Sequence, residues 1–600
     1  MAVFTTRPEI LGTFGAVTST HWLATASGMA ILEAGGNAFD AACATGFVLQ
    51  VVEPHMCGLG GDAPIIVAAA GDARAQVICG QGPAPAAATL EAYRALGIDL
   101  IPGNGLLAAV VPGAFDAWLL MLERYGTMTL ADVLAPAIGY ARDGHPIHQR
   151  VVETIAGVKP LFESAWPTSA AVYLPGGRPP RPESLFRNPV LAETYLRLVA
   201  EESAAGGNRD AGIAAARRAY YEGFVAEAID RFCRETEVLD ATGERHRGFL
   251  TADDMARWRA TLEDPVSYDY HGVTVCKTGP WGQGPVFLQQ LALLKGFDIS
   301  GMSADDPDFV HTVVECSKLA YADREAYYGD PDFVTVPLET LLSDAYNDSR
   351  RARVGDTASL ELVPGEVPGF EPRIVRPTAP AETAGALGVG EPTAGGAGRP
   401  AEPVGPPAGD TVHLDIVDRH GNFVSATPSG GWLQSSPVIP ELGFCLPTRA
   451  QMFWIEDGVP SSLAAGKRPR TTLTPSLALR DGKPFMAFGT PGGDQQDQWS
   501  LHFFLRHLHF GMNLQEAIDA PSFHSEHFPS SFYPRQASPG RLVMEGRFSS
   551  ATLAEIERRG HLIERADDWS EGRMTAAAKD GDIIKAAANA RQMQNYAIGR

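Results

Sequence analysis

A threonine hydroxyl is a weak nucleophile until a base stands beside it, and one threonine in this chain is placed to acquire such a base. Thr411 opens the run Thr411-Val-His-Leu-Asp-Ile-Val-Asp418, in which Val412, Leu414 and Ile416 alternate with Thr411, His413 and Asp415. That is the period of a β-strand. His420-Gly421 reads as a two-residue hairpin loop leading into Phe423-Val-Ser-Ala-Thr427. On that loop Thr411 falls opposite Gly430, with Ser429 and Gly431 flanking it and Thr427 one pleat away. If the peptide bond after Asp410 is broken, the freed α-amine of Thr411 becomes the base, with a pKa of about 7.7–8.0. The hydroxyl can then attack an amide carbonyl, leaving an acyl-threonine ester that water or an acceptor amine releases.

Such chemistry needs donors for the oxyanion, and the same part of the chain offers them. Pro475–Arg480 and Pro484–Phe488, joined by Asp481-Gly482, read as a second hairpin. It runs into Gly489-Thr-Pro-Gly-Gly493 and then into a helix whose apolar face includes Trp499, Phe503 and Leu505, with Asp494 as the expected cap. Gly492 and Gly493 thus stand where a strand becomes a helix. Bare amides there approach a negative oxygen closely, and one such donor is worth about 2.7–4 kcal/mol of barrier.

What precedes Thr411 is unlike the rest of the chain. Residues 377–410 hold 7 Pro, 8 Gly and 8 Ala in 34 positions, too little apolar side chain to offset the entropy of ordering. This stretch is expected to be a mobile linker. It separates a large region, 1–376, from a smaller one, 411–600. In the large region Phe39, Cys43, Phe47 and Val51 recur at i, i+4 steps, which predicts a small-residue helix ending before Glu53-Pro54. The glycines of Gly58-Leu-Gly60-Gly61 follow a helix rather than a strand, so they do not read as a dinucleotide loop.

Composition narrows the class. Of 600 residues, 45% are apolar and 20% charged, which is globular, and the net charge is −22. A field of that sign repels phosphate backbones and acidic lipid, so no nucleic-acid or membrane partner is expected. Seven scattered cysteines without a CxxC suggest buried thiols, neither disulfides nor a zinc knuckle. His502, His507, His509, His524 and His527 lack the HExxH pattern, so neither metal nor cofactor is expected. Met1–Glu9 shows no secretory leader and no run is long enough to span a membrane, so a cytoplasmic protein is expected.

These features together resemble the γ-glutamyltransferase family of N-terminal nucleophile hydrolases. The resemblance is carried by Ala26–Ala41, Val52–Gly61, Tyr125–Met128, Ala135–Ile138, Gly248–Thr251, Lys318–Arg324, Gly329–Val334, Gly466–Pro469 and Pro491–Gly493. It implies an α+β fold, a four-layer αββα sandwich built jointly by two subunits cut from one precursor. Asp410–Thr411 matches the cut. It also implies that Gly492 and Gly493 form the oxyanion hole, that Thr427 and Ser429 stand beside the nucleophile, and that Thr471 and Thr472 replace the family's serine pair.

Departures from the family pattern bear on substrate. Leu90 stands where the family has an arginine for the glutamyl α-carboxylate, and Met452 where an aspartate grips the α-amino group. Arg449 replaces a glutamine and Gly431 an asparagine. Losing both charged grips speaks against glutamyl specificity, since an unpaired buried polar group costs about 1–3 kcal/mol. The runs Ser425–Pro437 and Gly489–Gln498 resemble the oxamate amidohydrolase branch, and Arg449, then Arg470, are the candidate cations for a carboxylate beside the scissile carbonyl. The expected partner is a small-molecule amide; a homo-oligomer stays open. The rival readings are a γ-glutamyl transferase or glutathione hydrolase, and an uncut chain that only binds.

Overall fold

The computed structural model describes residues 4–72, 74–375 and 411–600. The linker 377–410, with Asp410, lies outside them. Two seven-stranded antiparallel sheets dominate the architecture. One runs in the order Tyr596–Gly599, Gly15–Ser19, Leu414–Asp418, Phe423–Ala426, Ile65–Ala68, Gln76–Cys79, Thr261–Glu263. The other runs Ile10–Gly12, Ile583–Ala588, Thr575–Asp580, Lys483–Gly489, Ser476–Arg480, Val273–Lys277, Val266–Tyr270. Each sheet mixes strands from before the linker with strands from after it.

Alternation along the strands sorts side chains into three apolar layers. Val412, Leu414, Ile416, Val424 and Ala426 face the helices Trp22–Glu33, Ala38–Val52 and Ala114–Tyr125. Ala478, Met486, Phe488 and Ala576 of the other sheet face Gly284–Leu294, Pro307–Tyr327 and Gln496–His509. Between the sheets lie Ala16, Ile66, Val417, Phe423, Leu477, Ala487 and Ala577. Helix, sheet, sheet, helix is the order of the layers, the αββα sandwich of an α+β protein.

The helix Ala38–Val52 shows how local sequence serves this plan. Asn37 and Asp40 close a reciprocal capping box, and the helix stops at Val52, before Glu53-Pro54. All fifteen residues are buried, which small side chains permit because neighbours must approach on every side. Among the described residues no helix is long and apolar enough to cross a membrane. All seven cysteines are buried thiols.

Two local expectations need correction. Strand Leu414–Asp418 pairs with Phe423–Ala426 through Leu414–Ala426 and Asp415–Ser425, and Thr411 lies opposite Ser429, not Gly430. The turn is longer than His420-Gly421: Asp418 bonds across to Asn422 (3.2 Å), leaving Arg419–Asn422 outside the ladder. Asp418 holds this wider turn by accepting from the amides of His420 (2.9 Å) and Asn422 (3.1 Å). Asp494 is likewise no cap. The helix begins at Gln496 after a short turn over Gly493–Gln495, and the Asp494 carboxylate is drawn away to Arg324 and Ser531.

Gly46 tests how tightly the helical layer is set, because a Cβ there would overlap the buried indole of Trp118. Gly46→Ala gains about 1 kcal/mol of helix propensity but overpacks a rigid ring, which costs about 1–3 kcal/mol. We expect a net loss, measured as a lower thermal or urea midpoint; an unchanged midpoint would refute it.

Candidate active site

The row Thr411, His413, Asp415 faces the opposite sheet, as the alternation requires, and all three are buried. The Thr411 hydroxyl donates to the Ser429 hydroxyl at 3.1 Å. Behind it, His413 Nδ1 meets the Thr427 hydroxyl at 2.9 Å and Nε2 meets Asp415 Oδ1 at 3.0 Å. Asp415 also accepts from Ser425 (2.8 Å) and, across the interlayer, from Thr575 (2.8 Å). Hydroxyl, imidazole and carboxylate therefore form an ordered file beneath Thr411. Such a file fixes the tautomer and orientation of the ring. Gly489 closes it from the other sheet, where a Cβ would overlap the imidazole.

Ser429 is held by a second ladder. Its backbone exchanges hydrogen bonds with Asp62 at 2.9 Å each way. The Gly58–Gly61 loop earns its glycines here: a Cβ on Gly61 would overlap the Ser429 carbonyl, and one on Gly60 the Cys445 carbonyl. Gly61 thus packs its backbone against Ser429, to which Thr411 donates, and Gly60 packs against Cys445.

Asp62 also anchors Arg449, accepting from its Nε at 2.9 Å. Burial raises the Asp62 carboxyl above its usual range against the pull of Arg449. The two terminal nitrogens of Arg449 are buried and have no hydrogen-bond partner among the described residues. Its guanidinium carbon lies 5.2 Å from the ring centre of Trp432 and 5.9 Å from that of Phe532. Met452 completes an apolar cluster with those two rings, and Leu90 packs against the cluster holding Ala450 and Phe453. Neither position offers a charge.

Arg470 is engaged elsewhere. It donates to Glu325 (2.8 Å), the Arg324 carbonyl (3.3 Å) and Ser531 (3.4 Å), and burial pushes its guanidinium down despite Glu325. Thr471, next in the chain, is fixed through its backbone to Trp281 and Gln283 (3.0 Å each); Thr472 is fully buried beside it. Further inside, Lys277 and Asp497 form a fully buried pair at 3.0 Å, and Lys277 also donates to Thr474 and Ser476.

Gly492 and Gly493 occupy the strand-to-helix junction with φ of +124° and +52°. A Cβ on Gly492 would overlap the Trp499 indole. Both features restrict this turn to glycine, and it follows the Gly489 strand end that closes over His413.

The histidines noted in the sequence do not converge. His502 stacks on Phe523 at 3.9 Å, His509 bonds Tyr270 at 3.0 Å, and His507 donates to the Met512 carbonyl at 2.7 Å. His527 accepts from the Gly540 amide at 3.0 Å. His524 meets Glu571 at 2.6 Å. A different cluster, His311, Glu315 and His561, does gather, yet its atoms are already committed: the imidazoles bond each other at 2.9 Å and Lys318 sits 2.6 Å from Glu315.

Sequence reasoning missed His413 and Asp415 as site residues, although they alternate with the apolar positions of the same run. Asp62 and Thr575 carried no local signal.

Comparison with known proteins bears on the family of the chain. The family model described as gamma-glutamyltranspeptidase matches residues 24–599. Acylase ACY 1 proenzyme of Pseudomonas sp. (strain SE83) is 32% identical over 591 residues, covering 96% of this chain and 92% of that protein. Oxamate amidohydrolase proenzyme of Klebsiella pneumoniae subsp. pneumoniae is 31% identical over 583 residues, covering 95% and 94%. The solved structure of LmbA2991HD is 54% identical with a TM-score of 0.91, covering 100% of both chains.

Two expected outcomes follow from the packing. Gly489→Ala should displace the His413 ring and lower turnover about tenfold or more while the protein stays folded, as checked by steady-state rates beside a thermal melt. Wild-type turnover in that variant would remove His413 from the site. His524 titrates in the folded protein at about 9, because Glu571 and Glu526 outweigh the burial that alone would lower it. The unfolded value is about 6.5. Stability from this contact is therefore full below about pH 6.5 and lost as pH rises through about 9, on the order of 2 kcal/mol or more. Urea midpoints at pH 6 and 9.5 should show the decline, and His524→Gln should flatten it.

Proposed function

The chain belongs to the gamma-glutamyltranspeptidase family, a family of hydrolases and acylases made as proenzymes, and we propose that it is an amidohydrolase whose nucleophile is Thr411. The observation that carries this reading is the Thr411 hydroxyl, three residues ahead of strand Leu414–Asp418 and 3.1 Å from that of Ser429, directly after the linker. In the precursor that hydroxyl attacks the carbonyl of Asp410. The acyl group shifts from nitrogen to oxygen, and water opens the ester, leaving a carboxylate on Asp410 and a free amine on Thr411. Residues 411–600 then form the small subunit.

In turnover the amine takes the hydroxyl proton while Oγ attacks the substrate's amide carbon. The amides of Gly492 and Gly493 receive the oxyanion, the leaving amine departs with the proton, and water hydrolyses the acyl-threonine. Thr427 and Ser429 orient the nucleophile, and Thr471 and Thr472 border the oxyanion turn.

The substrate we propose is an amide whose acyl group bears a carboxylate, oxamate being the simplest member, with oxalate and ammonia as its products. Arg449 supports this choice, since its two unpartnered terminal nitrogens form the fork that a carboxylate fills. Its Nε is tied back by Asp62. Arg470 is spent on Glu325, so we assign it to the site's frame. Leu90 and Met452 favour this reading over a γ-glutamyl one, because neither can pair with an α-carboxylate or an α-amine.

The full chain should run on denaturing gels as two pieces near two-thirds and one-third of its mass, and Thr411→Ala as one inactive piece. An active enzyme that stays uncut would refute the nucleophile. Ammonia release from oxamate should exceed release from a γ-glutamyl anilide, and Arg449→Met should raise the KM for oxamate about tenfold or more with self-cleavage intact. The reverse preference would overturn the substrate and leave Thr411 standing.

A further inference from the structure

Arg535 has no task in that scheme, yet its setting is that of a site. Its side chain is fully buried, and Nε and Nη2 have no hydrogen-bond partner among the described residues. Only Nη1 is used, donating to the Gln451 carbonyl at 3.2 Å. The guanidinium lies 3.8 Å from the ring centre of Trp454, which holds it flat without neutralising it. Its backbone is in the left-handed region, φ +63°, which costs a non-glycine residue about 1–2 kcal/mol. Strain of that kind gathers at functional positions.

The charges around it do not balance. The ionised groups that act most on Arg535 are Glu325 and Asp494, which favour its charge, and Arg470 and Arg324, which oppose it. Glu325 Oε1 already serves Arg324 and Arg470 at 2.8 Å each. Asp494 already serves Arg324, the Ser531 amide and the Ser531 hydroxyl. With Arg535, three buried cations face two anions. Burial and the neighbouring arginines push the Arg535 guanidinium down to about 9, despite Glu325. One further anion would complete the set.

This cluster adjoins the proposed reaction centre. Asp494 follows Gly493, and Arg470 precedes Thr471. Arg535 and Arg449 are also fastened to the same two segments: the Arg535 amide donates to the Phe532 carbonyl at 2.6 Å, the Phe532 ring lies against Arg449, and Gln451 accepts from the Tyr533 amide at 3.0 Å. These ties set Arg535 on the same side as Arg449, to which the acyl carboxylate is assigned.

We propose that Arg535 binds a second acidic group, of carboxylate class, on the acyl portion of the amide, while Arg449 binds the first. This deepens the function proposed above and rests on it. It makes oxamate a minimal substrate that leaves Arg535 unfilled, and the hydrolysis product of the full substrate a tricarboxylate. The overall charge of −22 gives no general attraction for such an ion, so any tight binding must be local.

Calorimetric titration of the processed protein at pH 8 with glutarate and with propane-1,2,3-tricarboxylate compares two ions differing by one carboxylate. Wild type should bind the tricarboxylate at least tenfold tighter, about 1.4 kcal/mol. Arg535→Gln should bring the two within about twofold, and self-cleavage of the variant shows that it has folded. If it fails to cleave, Arg535→Lys, which keeps the charge and loses the fork, replaces it and should show a reduced preference. Equal binding by wild type, or an undiminished preference in the variant that is titrated, overturns the proposal. Failure of the nucleophile reading shows separately, as a wild-type chain that stays uncut.

Discussion

Everything at the centre of this protein depends on burying a strand that is half polar. Leu414–Asp418 is paired along both edges, by Gly15–Ser19 and by Phe423–Ala426, so its backbone groups are satisfied within the sheet. Its side chains are not so simply accommodated. Period-two geometry that sends Leu414 and Ile416 into the helical layer must send His413 and Asp415 between the sheets, where an unmade hydrogen bond costs about 1–3 kcal/mol. The answering groups arrive from two strands: Thr427 and Ser425 from the neighbour, Thr575 from the opposite sheet. The order beneath Thr411 is thus a consequence of satisfying a dry interlayer. The same demand sets the glycine at position 489, where backbone must pass close to an imidazole.

A second constraint is electrostatic. The chain as a whole is strongly acidic, yet the largest fully buried side chains include Arg324, Arg449, Arg470, Arg535, Arg573 and Arg591. Guanidinium is the cation best suited to burial, being weakly hydrated and able to stack on rings. Trp432, Phe532 and Trp454 take that part here. Where carboxylates match these cations, as around Arg324 and Arg470, the result is a rigid frame behind the Gly492–Gly493 turn. Around Arg449 and Arg535, by contrast, guanidinium nitrogens stay buried without a hydrogen-bond partner among the described residues.

Topology explains how a chain broken before Thr411 would hold together. Strands from both sides of the linker pair with one another in each sheet, so the pieces share ladders and all three apolar layers. Separating them would expose the core, which makes cleavage compatible with a stable fold.

How much of this was legible in the residues can be judged position by position. The Ala38–Val52 helix and its stop, the Asp481-Gly482 hairpin and the Gly492–Gly493 junction were all readable, because each depends on neighbours within a few residues. So was the alternation that turns Thr411 inward. The register of its hairpin was not: two loop lengths fit the same glycine, and only the Asp418 side chain, bonding His420 and Asn422, selects the longer one and moves Thr411 from Gly430 to Ser429. Asp494 has the type and place of a cap, but a buried arginine 170 positions earlier competes for its carboxylate and prevails. The residues put Arg449 ahead of Arg470 without excluding either; packing committed Arg470 to Glu325 and left two nitrogens of Arg449 open. Arg535 had no signal at all. Local periodicity and turn chemistry are written in adjacent residues, and the sequence determined them. Which buried charge is matched is settled by groups hundreds of residues apart, so the tertiary structure alone decided it.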